Sequence, residues 1–373
     1  MKITIVGGGS SGWMTAAYLS TKTDHIITLI QSSDIPNIGV GESTLPSFYD
    51  FITELGLTEQ DLFNDCDATR KYTIRHKDWN KDGDWFHHFC FTESEHTEQQ
   101  QWMDSYALPN KKWRHAYHID ANKLAIMLRD KVALPNGVKI ITSTLDSIDN
   151  IQADYIINCS GFNNLFPKKP LVSTKLINNR AIVCPSNTIE HKPYTQTTAL
   201  SSGWMWTIAL QNRIGSGYVF CDKFISDADA KQEFISNCPY KLDIEKMRVI
   251  GWTPGYVQQP WSSNIIDVGL SAGFLEPLEA QALWATQYQL EMLVRLGLSE
   301  KSKRVFNKQW VRIMKHTEKY LLLHYTASTR RDSRYWNSFD TVDAIQFDNT
   351  QFNIFGKYSF KCLANGYALP YIE

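Results

Sequence analysis

The stretch that decides the fold is Lys2-Ile3-Thr4-Ile5-Val6-Gly7-Gly8-Gly9-Ser10-Ser11-Gly12-Trp13. Apolar alternation around Ile3 and Ile5 predicts a strand, the glycines a tight turn, and the apolar run over 13–19 a helix. A second apolar run over 26–30 completes a strand, glycine turn, helix, strand unit, the setting in which a GxGxxG spacing has meaning. In such a unit Gly7 permits the turn, Gly9 lets backbone approach a pyrophosphate, and Gly12 lets the helix pack on the strand. Phosphate charge then lies at the helix N-terminus beside Ser10 and Ser11, among backbone N–H groups without intrahelical partners. Gln31 stands where an Asp or Glu would hold the ribose hydroxyls, and an amide can still make those hydrogen bonds. No Arg nearby suits a 2′-phosphate, so FAD or NAD is expected ahead of NADP. The later stretch Ala153-Asp154-Tyr155-Ile156-Ile157-Asn158-Cys159-Ser160-Gly161 reads as a strand ending in a second small turn, which favours FAD.

The rest of the chain bounds the function. Its 373 residues are long enough for a large core, with 43% hydrophobic and 21% charged residues. Thirty-eight basic against 39 acidic residues remove the electrostatic motive for nucleic acid. A neutral small molecule fits better. Twelve Trp, 17 Tyr and 18 Phe supply apolar pockets and stacking surfaces. The cysteines at 66, 90, 159, 184, 221, 238 and 362 form no CxxC pair, so reduced thiols and a cytoplasmic protein are expected. No apolar run reaches the ~20 residues of a membrane span, and no metal site is expected. Residues 66–90 read as antiparallel strands with Thr69, Lys71, Thr73, Arg75 and Lys77 on one face, which by itself is a solvated basic strand. Residues 203–220 read as a strand pair with turn glycines at 215 and 217, and helices are expected over 277–296 and much of 300–325.

Several further segments carry a resemblance. They are Gly39-Val40-Gly41-Glu42-Ser43-Thr44-Leu45-Pro46, Ala68-Thr69-Arg70-Lys71 with Ile74 and Trp79, and Tyr117-His118-Ile119-Asp120. After them come Cys159-Ser160-Gly161-Phe162, Gly203-Trp204-Met205-Trp206-Thr207-Ile208 and Gly273-Phe274-Leu275-Glu276-Pro277-Leu278-Glu279, then His324-Tyr325, Asp332-Ser333 and Trp336. In this order, over about residues 3–336, they resemble the flavin-dependent halogenases of the tryptophan halogenase type. The resemblance implies an α/β fold: a Rossmann-like FAD-binding core with an inserted antiparallel sheet and an appended helical substrate region. One interleaved unit over 1–373 is expected, with the FAD core near 1–60, 115–165 and 245–300. The substrate side then takes 61–114, 166–244 and 301–373.

It also implies an activity. Reduced FAD, oxygen and a halide yield hypohalous acid, which passes down a tunnel to an electron-rich aromatic small molecule. Lys71 and Glu279 match the catalytic pair: an ammonium end holds or carries the halogen, and a carboxylate orients it and takes the ring proton. Cofactor contacts are expected from Gly7, Gly9, Ser10, Ser11, Gly12, Gln31, Gly41, Glu42, Ser43, Gly161 and Leu275. Trp204 and Trp206 match a tunnel wall, though period-two core packing explains them equally. His87, Phe89 and Pro46 match a substrate clamp, and a structural histidine is the plainer reading of His87. Glu279 also reads as a helix-capping residue, with Glu276 its local competitor.

Halide is expected on the backbone amides of Gln281 and Ala282. The family usually has Ser-Thr-Gly where this chain has Ala280-Gln281-Ala282, so a shift toward bromide or iodide is expected. Ala209 replaces a usual proline. No second nucleotide site is visible, so a separate flavin reductase should supply FADH2, and a homo-oligomer is compatible with the family. The chain is shorter than members that bind free tryptophan, which points to an indole, phenol or other exposed arene. A flavin monooxygenase and a non-catalytic flavin-binding protein are the alternatives. Retention of both Lys71 and Glu279 counts against each.

Overall fold

The computed structural model describes residues 1–34, 41–81, 83–90, 92–105, 113–162, 165–347 and 354–373. Gly39 and Val40 of the resemblance lie outside them.

The opening unit forms as its pattern requires. Strand Lys2–Val6 pairs in parallel with Ile26–Gln31 on one side and Tyr155–Asn158 on the other. Helix Ser10–Lys22 is buried from Gly12 to Leu19, packed between this sheet and later helices. Strands Lys139–Thr142 and Ile265–Asp267 extend the parallel sheet, and Trp261–Ser262 adds an antiparallel edge. Gly7 lies at φ 121°, and its N–H donates to the Ile30 carbonyl at 2.9 Å, which turns the chain at the strand end. A side chain on Gly12 would collide with the Gly7 carbonyl, so only glycine lets helix and turn approach this closely.

A seven-stranded sheet forms the second layer, ordered Arg248–Gly251, Arg180–Ser186, Ile214–Phe220, Gly203–Ala209, Tyr194–Leu200, Thr73–Lys77 and Trp85–His88. All neighbours run antiparallel except Tyr194–Leu200 against Thr73–Lys77. The three-stranded sheet of Gly41–Ser43, Ala116–Asp120 and Thr69–Lys71 stands beside it. Helix Glu300–Thr326 crosses from one core to the other, with Phe306 in the nucleotide-side core and Trp310, Tyr320 and Tyr325 in the aromatic-rich second core. Both large sheets therefore take strands from separated segments. Arg248–Gly251 joins the seven-stranded sheet, although 245–300 was expected in the FAD core.

Three local expectations change. The basic strand breaks at Tyr72, so Thr69–Lys71 and Thr73–Lys77 belong to different sheets and Lys71 is buried rather than solvated. Gly215 and Gly217 lie inside a strand and not in its turn; a side chain on Gly217 would overlap the Trp206 indole. The helix expected over 277–296 begins at Gln281, because Glu279 and Ala280 adopt left-handed backbone at φ 64° and 56°. All seven cysteines are free. Among the described residues, no helix is long and apolar enough to cross a membrane.

Replacing Gly12 by Ala should lower unfolding stability by about 1–3 kcal/mol through this overpacking. Denaturant titration checks it, and an unchanged midpoint would contradict the packing described.

Candidate active site

Two adjoining cavities occupy the space between the layers. The larger, about 710 Å³, is lined by Gly7, Gly8, Gly9, Ser10, Ser11 and Gln31, and on its far side by Ser160 and Gly161. Helix Ser10–Lys22 has no side-chain cap at Gly9, so its first N–H groups remain available to an anion. A Cβ on Gly7 would run into the Cys159 backbone and one on Gly8 into the Gln31 side chain, so the bare glycines shape the floor of this cavity. This cradle fits the pyrophosphate and ribose of a dinucleotide. Asn122, Ser143 and Asp146 also line it. They went unrecognised because they lie outside the glycine motif, Asn122 in the first turn of helix Ala121–Leu128 and the other two in a loop with no pattern of its own.

The smaller cavity, about 180 Å³, shares Glu42, Phe162, Leu270, Ala282 and Leu283 with the larger. It extends past Ser43, Trp204 and Trp206 to Lys71 and Glu279. The two indoles stand 6.1 Å apart on one face of their strand, at once cavity wall and part of the aromatic core. Desolvation and the charge of Asp120 push Glu42 up to about 7. Gly41 pairs with Asp120 on the short strand that presents Glu42 and Ser43. Leu275 is fully buried in the second core and lines neither cavity; its carbonyl accepts the Trp252 indole N–H at 3.0 Å.

Lys71 is fully buried. Its Nζ donates to the Thr44 carbonyl at 3.2 Å and lies 4.9 Å from the centre of the Phe89 ring. Burial pushes the ammonium down to about 7, against the opposing pull of Glu279. Pro46 stands two residues beyond Thr44, half-buried at the turn into helix Phe48–Glu54.

Glu279 is held by three imidazoles. His87 Nδ1 meets Oε2 at 2.6 Å, and His324 Nε2 and His76 Nε2 meet Oε1 at 3.0 and 3.3 Å. Burial alone would raise this carboxyl, but the His87 charge and the hydrogen bonds from the histidines hold it well below the usual carboxylate range. His76 and His87 come from paired strands of the seven-stranded sheet and His324 from helix Glu300–Thr326. The left-handed turn at Glu279 carries the side chain out of the helix path to reach them. His87 was expected to clamp substrate; both of its ring nitrogens are engaged, Nε2 with Ser359 Oγ at 2.9 Å, while Phe89 meets the ring edge-on with centroids 5.8 Å apart.

His76 carried no expected role, and neither did His324. A usable signal existed for the first: His76 shares strand parity with Ile74, opposite the basic face. Glu276, the competing carboxylate, accepts from Tyr325 Oη at 2.5 Å and Asn178 Nδ2 at 3.1 Å, inside the aromatic core. Burial pushes it up to about 7 despite those bonds. Ala280 and Ala282 line the smaller cavity at the uncapped start of helix Gln281–Leu296. The Gln281 side chain instead turns inward and donates to the Glu276 carbonyl at 2.6 Å.

The dinucleotide cradle thus shares walls with the cavity that holds the buried lysine and carboxylate, and comparison with known proteins gives the family. The tryptophan halogenase family profile matches residues 2–112 and 100–360; the chain belongs to that family. It is 29% identical to the 7-chloro-L-tryptophan 6-halogenase KtzR of Kutzneria sp. (strain 744), over 91% of this chain and 82% of that protein. The structure of BrvH, a flavin-dependent halogenase from Brevundimonas sp. BAL3, superposes with a TM-score of 0.87 at 26% identity, covering 100% of this chain and 91% of that one. The tryptophan halogenase of Shewanella frigidimarina gives 0.89 at 26% identity, covering 100% and 89%. The alignment with KtzR runs over 435 positions, more than the 373 residues here, so that relative carries internal length this chain lacks.

A buried lysine binds fewer protons folded than unfolded, so stability rises with pH between its folded value of about 7 and its ordinary 10.5. Lys71→Met should therefore stabilise the chain on the order of 3 kcal/mol at pH 7, with the gain shrinking toward pH 10. Thermal unfolding across that range checks it; a gain independent of pH would contradict it.

Proposed function

We propose that the chain halogenates an electron-rich aromatic small molecule, using FADH2 from a separate reductase, with Lys71 and Glu279 as its catalytic pair. The observation that carries this reading is the convergence of both side chains on one cavity that shares walls with the dinucleotide cradle. When bound, reduced FAD would activate oxygen, the oxidant that converts halide to hypohalous acid. Gly7, Gly9, Ser10, Ser11 and Gly161 would hold its phosphates and backbone-facing edge, Gly12 would let the helix pack close beneath them, Gln31 would hold its ribose, and the Gly41-Glu42-Ser43 strand would serve its ring.

The halide rests on backbone N–H groups at Gln281 and Ala282, where helix Gln281–Leu296 begins without a side-chain cap. Trp204 and Trp206 wall the passage and keep the arene off the cofactor. Lys71, its ammonium destabilised by burial, has a neutral amine fraction near pH 7 that can take the electrophilic halogen. Glu279, held ionised by its histidines, accepts the ring proton as aromaticity returns. The arene approaches from the side of Phe89, His87 and Pro46. The shorter chain favours an indole, a phenol or another exposed arene over an enclosed free amino acid.

With FAD, a reductase, oxygen, halide and an arene panel, mass spectrometry should find halogenated product. Lys71→Met and Glu279→Gln should each lower its rate about 10²–10⁴-fold. Hydroxylated product, or none with any halide, would contradict the reading. Loss of the family's Ser-Thr-Gly turn should also favour bromide or iodide over chloride in competition; strict chloride preference would refute that part.

A further inference from the structure

We propose that His76, Glu279 and His324 form a binding site for one divalent transition-metal ion of the zinc class. His76 and His324 Nε2 and a Glu279 carboxylate oxygen lie within 4.8 Å of one another, all three residues buried. The edges from Oε1 to His324 and His76, 3.0 and 3.3 Å, match the roughly 3.3 Å edge of a tetrahedron whose ligands stand about 2.0–2.1 Å from zinc.

The outer partners point the same way. His324 Nδ1 lies 3.2 Å from the Tyr320 carbonyl, which can only accept, so Nδ1 carries a proton and Nε2 is the nitrogen turned toward Glu279, at 3.0 Å from Oε1. His76 Nδ1 is held by the Thr197 hydroxyl at 3.0 Å, and its Nε2 faces Oε1 at 3.3 Å. Partners of this kind on the far nitrogen accompany metal-bound histidine, fixing tautomer and ring orientation. A divalent ion between the two imidazole nitrogens and Oε1 would take the place of the Nε2 protons that otherwise point at that oxygen. One ion would replace both contacts at once. His87 holds the second oxygen at 2.6 Å and leaves Oε1 for the ion.

Two imidazoles and a carboxylate suit zinc, cobalt or copper and not magnesium or calcium. Of the three ligands, Glu279 is the one that also lines the smaller cavity. Resting on the halogenase reading, a further consequence follows: Glu279 cannot take a ring proton while it coordinates, so bound metal inhibits halogenation.

The test titrates Co²⁺ into tag-free, chelator-treated, dialysed protein and reads the visible absorption of four-coordinate cobalt. One ion per chain, displaced by Zn²⁺, is expected. His76→Gln and His324→Gln should each weaken binding at least 100-fold, and His191→Ala on the surface should leave it unchanged. Should either variant fail to fold, X-ray absorption of Zn²⁺-loaded wild type should show two imidazoles and oxygen around the metal. No cobalt band, binding untouched by both substitutions, or a different donor set overturns the site. Zn²⁺ should abolish halogenation and a chelator restore it; binding with undiminished turnover overturns the inhibition. If no product forms even without metal, the halogenase reading fails while the cobalt titration still decides the site.

Discussion

The structure depends on a break between two helical segments. Glu279 and Ala280 adopt left-handed backbone, which costs non-glycine residues on the order of 1–3 kcal/mol each and persists only where the surroundings hold it. The surroundings do so here from both sides. Three imidazoles grip the Glu279 carboxylate, and the buried Gln281 amide ties the start of the next helix to the Glu276 carbonyl. In return the break sends Glu279 toward the second core and leaves the N-terminus of helix Gln281–Leu296 uncapped beside both cavities. A continuous helix from Pro277 would give up that carboxylate position and the open N–H groups together.

Burial sets the chemistry of the two charged side chains in opposite directions. Lys71 has a carbonyl and an aromatic face for company, so desolvation dominates and its ammonium is destabilised. Glu279 is equally buried, yet its imidazole partners overcome the same penalty. The amine gains nucleophilic character while the carboxylate stays ionised, which is what the proposed chemistry asks of each. Both surround a cavity walled by Trp204 and Trp206, and the indole of Trp206 has room only because Gly217 has no side chain.

The opening unit was legible because strand, turn and helix are local, and each glycine answers a steric demand within a few residues. Lys71 was not legible from periodicity: the alternation of 69–77 places it on a basic face, and only the break at Tyr72 turns it inward. The resemblance supplied Lys71 and Glu279, but not what surrounds them. His76, His87 and His324 meet at Glu279 from two sheet strands and a helix, with Ser359 behind His87 from a second helix, and no spacing in the chain encodes that meeting. Leu275 and the Gln281 side chain show the converse. A motif position can be in place while its side chain faces the core.

The central claim is that Lys71 receives the halogen before the arene does. The direct measurement supplies reduced FAD, oxygen and bromide without arene, removes small molecules by rapid desalting, and then adds an indole. The account predicts brominated product approaching one equivalent per chain from wild type and none from Lys71→Met. Equal product from both proteins, or no oxidising equivalent retained by wild type, would contradict it.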